Sequence, residues 1–245
     1  MNWKPIIANF CHGEPAKDAR GSGDARVFRT HGIHPKMAHE VAVDEIVRVK
    51  RTICADKRCV GIGEIGFDFS GDFENHKEAQ ETLMRDMLRF IVGRELYDKP
   101  IVLHCRDKPG SNKAAKLCRK VLSEEIPAFD KDMVTLHLHC YNNGIDEMRD
   151  WSKSFPRTRF GFTALLLGTA KHSELEDVVK ALDDFRILLE TDSPYLKPPS
   201  FSNCKYNTPY GLVPVAQKIA ELRGKTLPEI LELASENARE VYNLQ

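Results

Sequence analysis

The 245-residue sequence lacks an excess of charge of either sign, because 36 Lys and Arg face 36 Asp and Glu. That balance removes the basic footprint usual in proteins that grip long stretches of nucleic acid, so any nucleic-acid site has to be local. Long apolar runs are missing as well. No segment approaches the ~20 consecutive apolar residues of a membrane-spanning helix, and no membrane partner is expected. The first ten residues hold one lysine and a short apolar run broken by Pro5 and Asn9. They lack the apolar core and small-residue cleavage site of a secretory signal. The seven cysteines are an odd, scattered set without a CxxC pair. That argues against a disulfide framework and against a thiolate zinc site. A soluble protein of the cytoplasm or nucleus, where thiols stay reduced, is expected.

What is present has the pattern of one large α/β domain over residues 1–245, since a single core can grow to roughly 250 residues before chains tend to split. Apolar runs of strand length recur at 5–9, 27–31, 60–64, 101–104, 134–139, 160–163 and 187–190. Between them lie helical stripes, such as Val41, Ile46, Val49 and Ile53, or Leu83, Met87, Phe90 and Ile91. Strand alternating with helix is the pattern of a parallel sheet with crossover helices. Residues 13–25, rich in Gly, Pro, Lys and Asp, read as a mobile loop. Near the end, 209–223 and 227–242 read as two helices parted by Gly224. Thr226 is placed to cap the second, with Pro228 and Glu229 in its first turn.

Four of the strands end in an acidic or imidazole side chain: Glu64 in GIGEIGFD, His104 in IVLHCRD, His139 in LHLHCYN and Asp192 in LLETDSPYL. In a parallel barrel the C-terminal strand ends share one mouth, so such residues can meet although distant in sequence. Two imidazoles and two carboxylates suit a divalent ion such as Mg²⁺, Mn²⁺ or Zn²⁺. Taken singly, each has a structural reading: a hydrogen-bonded histidine, an ion-paired carboxylate, a turn aspartate. Their recurrence at four strand ends favours a shared metal site. His137, two residues before His139, points to the same face one layer deeper, and it is read as packing or as support behind the ligand. Cys105 and Cys140 alternate away from the ions and are read as small packing residues. His12 and His31 are read as structural.

The blocks GIHPKMA, GEIGFD, IVLHCRD, HCYN, GFTA, LLETDSPYL and SENAREVYNL, in this order from Thr30 to Leu244, resemble the signature of the TatD-type metal-dependent nucleases. GEIG together with ETDSPYL is the specific part; GIHP alone would be weak. The resemblance implies a TIM-type (β/α)₈ barrel with a one- or two-metal centre that hydrolyses DNA, often as a 3′-to-5′ exonuclease. It places a bridging carboxylate at Glu64 and two ligands of one ion at His104 and His139. Asp192 becomes a ligand or water-orienting base, and His34 and Arg106 face the phosphate. Arg106 has the chemistry for that, since a guanidinium can hold two phosphate oxygens at once. A salt bridge to Asp107 is its structural alternative.

TatD-type proteins open with a first strand carrying His-x-His, and no such motif precedes Ile6. Seven strands are therefore expected, with one ion firmly held by Glu64, His104 and His139 and a second weakly held near Asp192. An absent first strand leaves two apolar edges. A missing upstream segment, a partner chain closing the barrel and a degenerate member with weak catalysis are the open explanations. The expected reaction is metal-assisted phosphodiester hydrolysis at single-stranded DNA ends, with Asp192 orienting or deprotonating the water. Because a fold does not fix a substrate, hydrolysis of a small ester or amide is an alternative, as is a non-catalytic nucleic-acid- or protein-binding module.

Overall fold

The computed structural model describes residues 6–11, 27–168 and 174–244, with Phe10 and Cys11 described by their backbone only. His12 and the expected loop at 13–25 lie outside the described residues. The chain forms two compact units, Met1–Leu136 and His137–Gln245. Both are α/β, and seven strands are present among the described residues.

The first unit holds β1 (Ile6–Cys11), β2 (Val27–Gly32), β3 (Cys59–Asp68) and β4 (Ile101–Arg106), paired in chain order and all parallel. Helix α1 (Val43–Ala55) links β2 to β3, α2 (Lys77–Gly93) links β3 to β4, and α3 (Lys113–Glu125) follows β4. In α1 the buried residues are Val49 and Ile53, four apart on one face. Val41, expected in the same stripe, falls before the helix begins. In α2 the buried seam is Leu83, Met84, Met87, Leu88 and Ile91, while Phe90 is half-buried beneath the Lys50 ammonium. Arg85 of α2 reaches Glu81 on its own helix and Glu124 and Glu125 on α3, and Arg89 joins Glu125. Asp107 accepts from the backbone N–H of Ala114 in the first turn of α3 at 3.0 Å and from Ser111 Oγ at 3.1 Å.

Strand β3 departs from its sequence reading. It runs ten residues to Asp68 rather than stopping at Glu64, so Glu64 lies mid-strand. It continues because residues 65–68 keep pairing with 103–106 of β4, past an irregularity: Ile62 faces Ile101 and Ile65 faces Leu103, so the stretch holding Gly63 and Glu64 bulges. Gly63 (φ 152°) and Gly66 (φ 138°) permit this, since a Cβ on either would strike the backbone of Val102 or His104.

The second unit holds β5 (Leu136–His139), which begins at the unit boundary, with β6 (Thr158–Phe162) and β7 (Ile187–Leu189). β6 and β7 are parallel, and Tyr141 N–H donates to Gly161 O just beyond β5. Its helices are α4 (Ile145–Ser154), α5 (Glu174–Ala181), α6 (Leu212–Arg223) and α7 (Leu227–Val241). Trp151, Phe155, Phe160 and Phe162 fill its core. A single 3₁₀ turn, Pro209–Gly211, replaces the expected start of α6. The start of α7 is a capping box: Thr226 N–H donates to Glu229 Oε2 at 2.7 Å, and Glu229 N–H donates to Thr226 Oγ1 at 3.4 Å. Asn237 of α7 donates to the carbonyls of Asp184 and Ile187, fixing the helix against the start of β7.

Candidate metal centre

In the first unit the bulge in β3 turns Glu64 toward His104 of β4. Glu64 Oε2 lies 3.3 Å from His104 Nδ1, and Glu64 Oε1 accepts from Asn9 Nδ2 of β1 at 3.0 Å. Asn9 is itself held by Thr30 Oγ1, which donates to its Oδ1 at 2.6 Å. The other nitrogen of His104, Nε2, lies 2.9 Å from Asp68 Oδ2 at the end of β3. Asp68 accepts two further bonds from Ser70 and faces Lys36 Nζ at 3.6 Å. Burial works against the Asp68 anion, but the hydrogen bond and charge of His104 and the two Ser70 bonds outweigh it and hold its carboxyl well below the usual range. Burial likewise opposes charge on His104, and its bonds and charge interactions with Asp68 and Glu64 outweigh it and raise its pKa.

His34 joins this cluster from the turn after β2. Its Nε2 lies 3.2 Å from His104 Nδ1 and 3.9 Å from Glu64 Oε2. One atom each from His34, Glu64 and His104 thus falls within reach of a common ion. Ligand atoms about 2.1 Å from a divalent ion stand about 3.0–3.5 Å apart, which fits the contacts of His104 with His34 and Glu64, whereas His34 and Glu64 stand wider apart. The tautomer of His34 points elsewhere. Its Nδ1 accepts from Lys36 N–H at 3.1 Å, which leaves the ring proton on Nε2. Burial, then the neighbouring His104, lowers its pKa to about 3, so the ring stays neutral. His34 is therefore positioned as a hydrogen-bond donor, and Glu64 and His104 as the electron-pair donors of this cluster. Arg106 ends β4 half-buried and has no ion-pair partner among the described residues; Asp107, its sequence alternative, is occupied at the start of α3.

The second unit carries a parallel arrangement. His139, the last residue of β5, places Nδ1 2.9 Å from Glu190 Oε1 and Nε2 3.5 Å from Asp192 Oδ1. Glu190 lies half-buried just beyond β7. Its Oε1 also lies 3.0 Å from His137 Nε2, and its Oε2 accepts from Cys140 N–H at 2.7 Å. Desolvation opposes its charge, yet the adjacent His139 and His137 hold its carboxyl well below the usual range. His137 Nδ1 meets the Tyr242 hydroxyl at 2.5 Å. The Cys140 thiol, pushed up to about 11 by burial, lies 3.4 Å from Thr163 Oγ1 and is a packing group; the hydrogen bond with Cys118, and then burial, raise the Cys105 thiol. His31 is structural, pairing with Asp56 at 2.9 Å.

Of the residues singled out from sequence, Glu64, His104 and His34 thus come together in the first unit, and His139 and Asp192 in the second. Asp68, Asn9 and Glu190 are not among the site residues that the sequence singles out. A second acid inside GEIGFD and inside LLETDSPYL was the available signal for Asp68 and Glu190; Asn9 carried none.

The family described as TatD related DNase matches residues 16–243. An uncharacterized metal-dependent hydrolase of Bacillus subtilis, YabD, is 28% identical over 218 residues, covering 89% of this chain and 78% of its own. The 3′-5′ ssDNA/RNA exonuclease TatD of Erwinia amylovora is 28% identical over 224 residues, with the same two coverages, 89% and 78%. Among solved structures, the TatD homolog YJJV of Escherichia coli K12 superposes with a TM-score of 0.80 at 21% identity, over 98% of this chain and 87% of that one. At that identity the likeness carries the fold alone, the TIM-barrel-like α/β fold of TatD proteins.

Proposed function

This chain belongs to the TatD-related DNase family, and on that premise we propose that it shortens single-stranded nucleic acid, DNA above all, from the 3′ end. It is a metal-dependent hydrolase of that family. The relatives' names supply the class of reaction, and the observation that carries the proposal is the repeated histidine–carboxylate geometry. In each unit one imidazole nitrogen is held by a carboxylate, buried Asp68 or half-buried Glu190. The other nitrogen faces a second carboxylate oxygen, at 3.3 Å for Glu64 and 3.5 Å for Asp192. With its far N–H given to the supporting carboxylate, a neutral imidazole turns its lone pair toward another electron-pair donor, an arrangement that a cation satisfies. Glu64 and His104 in the first unit, and His139 and Asp192 in the second, are the proposed ligands, and N and O donors of this kind suit Mg²⁺, Mn²⁺ or Zn²⁺.

A divalent ion there supplies Lewis acidity and a water of lowered pKa. The residues around it do the rest. The His34 Nε2–H, fixed by the Lys36 backbone, and the Arg106 guanidinium hold non-bridging phosphate oxygens. In the second unit Asp192, facing His139 Nε2, is the proposed acceptor of a water proton. The ester bond to the terminal nucleotide breaks and a nucleoside monophosphate leaves. The free thiols among the described cysteines suit a reducing compartment, cytoplasm or nucleus.

Incubation of 5′-labelled single-stranded DNA with Mg²⁺ or Mn²⁺ tests the proposal. The expected result is a ladder of products shortened one nucleotide at a time and abolished by EDTA. Retention of the strand without cleavage, or hydrolysis of small esters only, would overturn it.

A further inference from the structure

The segment that follows β7 combines a fixed backbone with exposed aromatic side chains. Buried Asn207 is its organiser. Asn207 Nδ2 donates to the carbonyls of Thr191 at 2.8 Å and Leu196 at 3.1 Å, its N–H donates to Pro194 O at 3.0 Å, and its Oδ1 accepts from Thr208 N–H at 2.8 Å. Lys197 Nζ bonds the carbonyls of Ser202 and Cys204, closing the intervening turn. Tyr195 N–H donates to Asp192 O at 2.8 Å, which ties the aromatic residue directly to the proposed catalytic aspartate.

This well-tied loop leaves Tyr195 61%, Tyr206 56% and Tyr210 53% exposed. The other three tyrosines of the chain, Tyr97, Tyr141 and Tyr242, are half-buried or buried. Every strongly exposed tyrosine therefore lies between 195 and 210. Asn207 bonds to residues on both sides of Tyr195 and directly follows Tyr206, so one side chain fixes the backbone beneath both. Lys205 Nζ lies 5.1 Å from the centre of the Tyr206 ring, adding a cation where a phosphate backbone would run.

We infer that Tyr195 and Tyr206 form a platform on which bases of a single-stranded nucleic acid stack, with Lys205 meeting the adjoining phosphate. The inference deepens the proposed phosphodiesterase reading and rests on it. It also resolves a difficulty raised by composition. A chain with 36 basic and 36 acidic residues cannot rely on a broad positive field, whereas stacking on an aromatic face needs no net charge and tolerates any base. The occupant is a strand with unpaired bases, because paired bases would hide the faces that the tyrosines recognise.

The test compares two fluorescent oligonucleotides of equal length and charge, oligothymidylate and an abasic strand, by anisotropy in EDTA so that neither is cleaved. The wild-type protein should bind the base-bearing strand more tightly. Tyr195→Ala and Tyr206→Ala should each weaken that binding roughly 5- to 150-fold and erase the preference over the abasic strand. Tyr206→Phe should keep the preference, because the stacking face survives. Equal wild-type affinity for the two strands, or an undiminished preference in both alanine variants, would overturn the platform. Metal-dependent hydrolysis of the oligothymidylate and of bis(p-nitrophenyl) phosphate by the wild type is scored separately. If neither is cleaved while the preference and its loss are observed, the nuclease reading fails and the platform stands.

Discussion

Glu190 Oε1 lies 2.9 Å from Nδ1 of His139. The carboxylate accepts the Nδ1–H of the imidazole, which leaves Nε2, on the side of Asp192, with its lone pair. Glu190→Gln would put an amide donor where an N–H now donates, either from Cys140 or from the histidine pair. Manganese affinity, read from the EPR signal of unbound Mn²⁺, should fall about 10- to 100-fold. Unaltered affinity would reduce Glu190 to a packing residue.

Gly161 in β6 makes room for that carboxylate. A Cβ at this position would collide with the Glu190 carboxylate and with His137 Nε2. Gly161→Ala should therefore cost roughly 1–3 kcal/mol of stability by overpacking and weaken Mn²⁺ binding along with it. Thermal unfolding and the same EPR titration check both effects. A stable variant with normal metal binding would show that the carboxylate can relocate.

These two residues mark where the sequence was informative and where it was not. Strand and helix alternation was legible because both faces of parallel strands are buried, as the near-continuous burial of β3 shows. His139 and Asp192 stood out because each closes an apolar run with a ligating side chain. Glu190 did not. It reads as one more residue at the end of a strand, and only the fold reveals that His137, His139 and the Cys140 backbone converge on it. Asp68 was hidden because the apolar run closes at Glu64, whereas β3 continues to Asp68, past an irregularity at Gly63 and Glu64.

Acid should weaken the fold through the same carboxylates. Asp68 and Glu190 have folded-state values held below their ordinary 3.8 and 4.5. The unfolded chain then binds more protons as the pH drops. Their stabilisation is complete above the ordinary values and is lost as pH falls toward the depressed ones. The melting temperature of the metal-free protein should decline from about pH 5 to about pH 3, with each group contributing at most about 1.4 kcal/mol per pH unit. The double variant Asp68→Asn, Glu190→Gln should decline less steeply. Parallel declines would assign the acid sensitivity to other groups.

Glu64 and His34 should separate by severity. Removing a hydrogen-bond donor to a phosphate oxygen, as in His34→Ala, should cost about 10²–10³ in kcat. Removing a proposed ligand, as in Glu64→Ala, should cost at least about tenfold more and abolish metal dependence as well. Turnover at saturating Mn²⁺ decides the order, and equal small losses would remove Glu64 from the ligand set.

Tyr242 sits at the C-terminal end of α7, and its hydroxyl reaches His137. The opposite end of the helix is pinned by the Thr226–Glu229 capping box, and Asn237 anchors it between. α7 thus works as a ruler: its residue count sets where the hydroxyl arrives and in which direction it points. One residue added or removed between cap and tyrosine turns that hydroxyl by about 100° and shifts it about 1.5 Å. The exposed flank of the helix can drift freely in sequence, but its length is bound to a histidine far away along the chain.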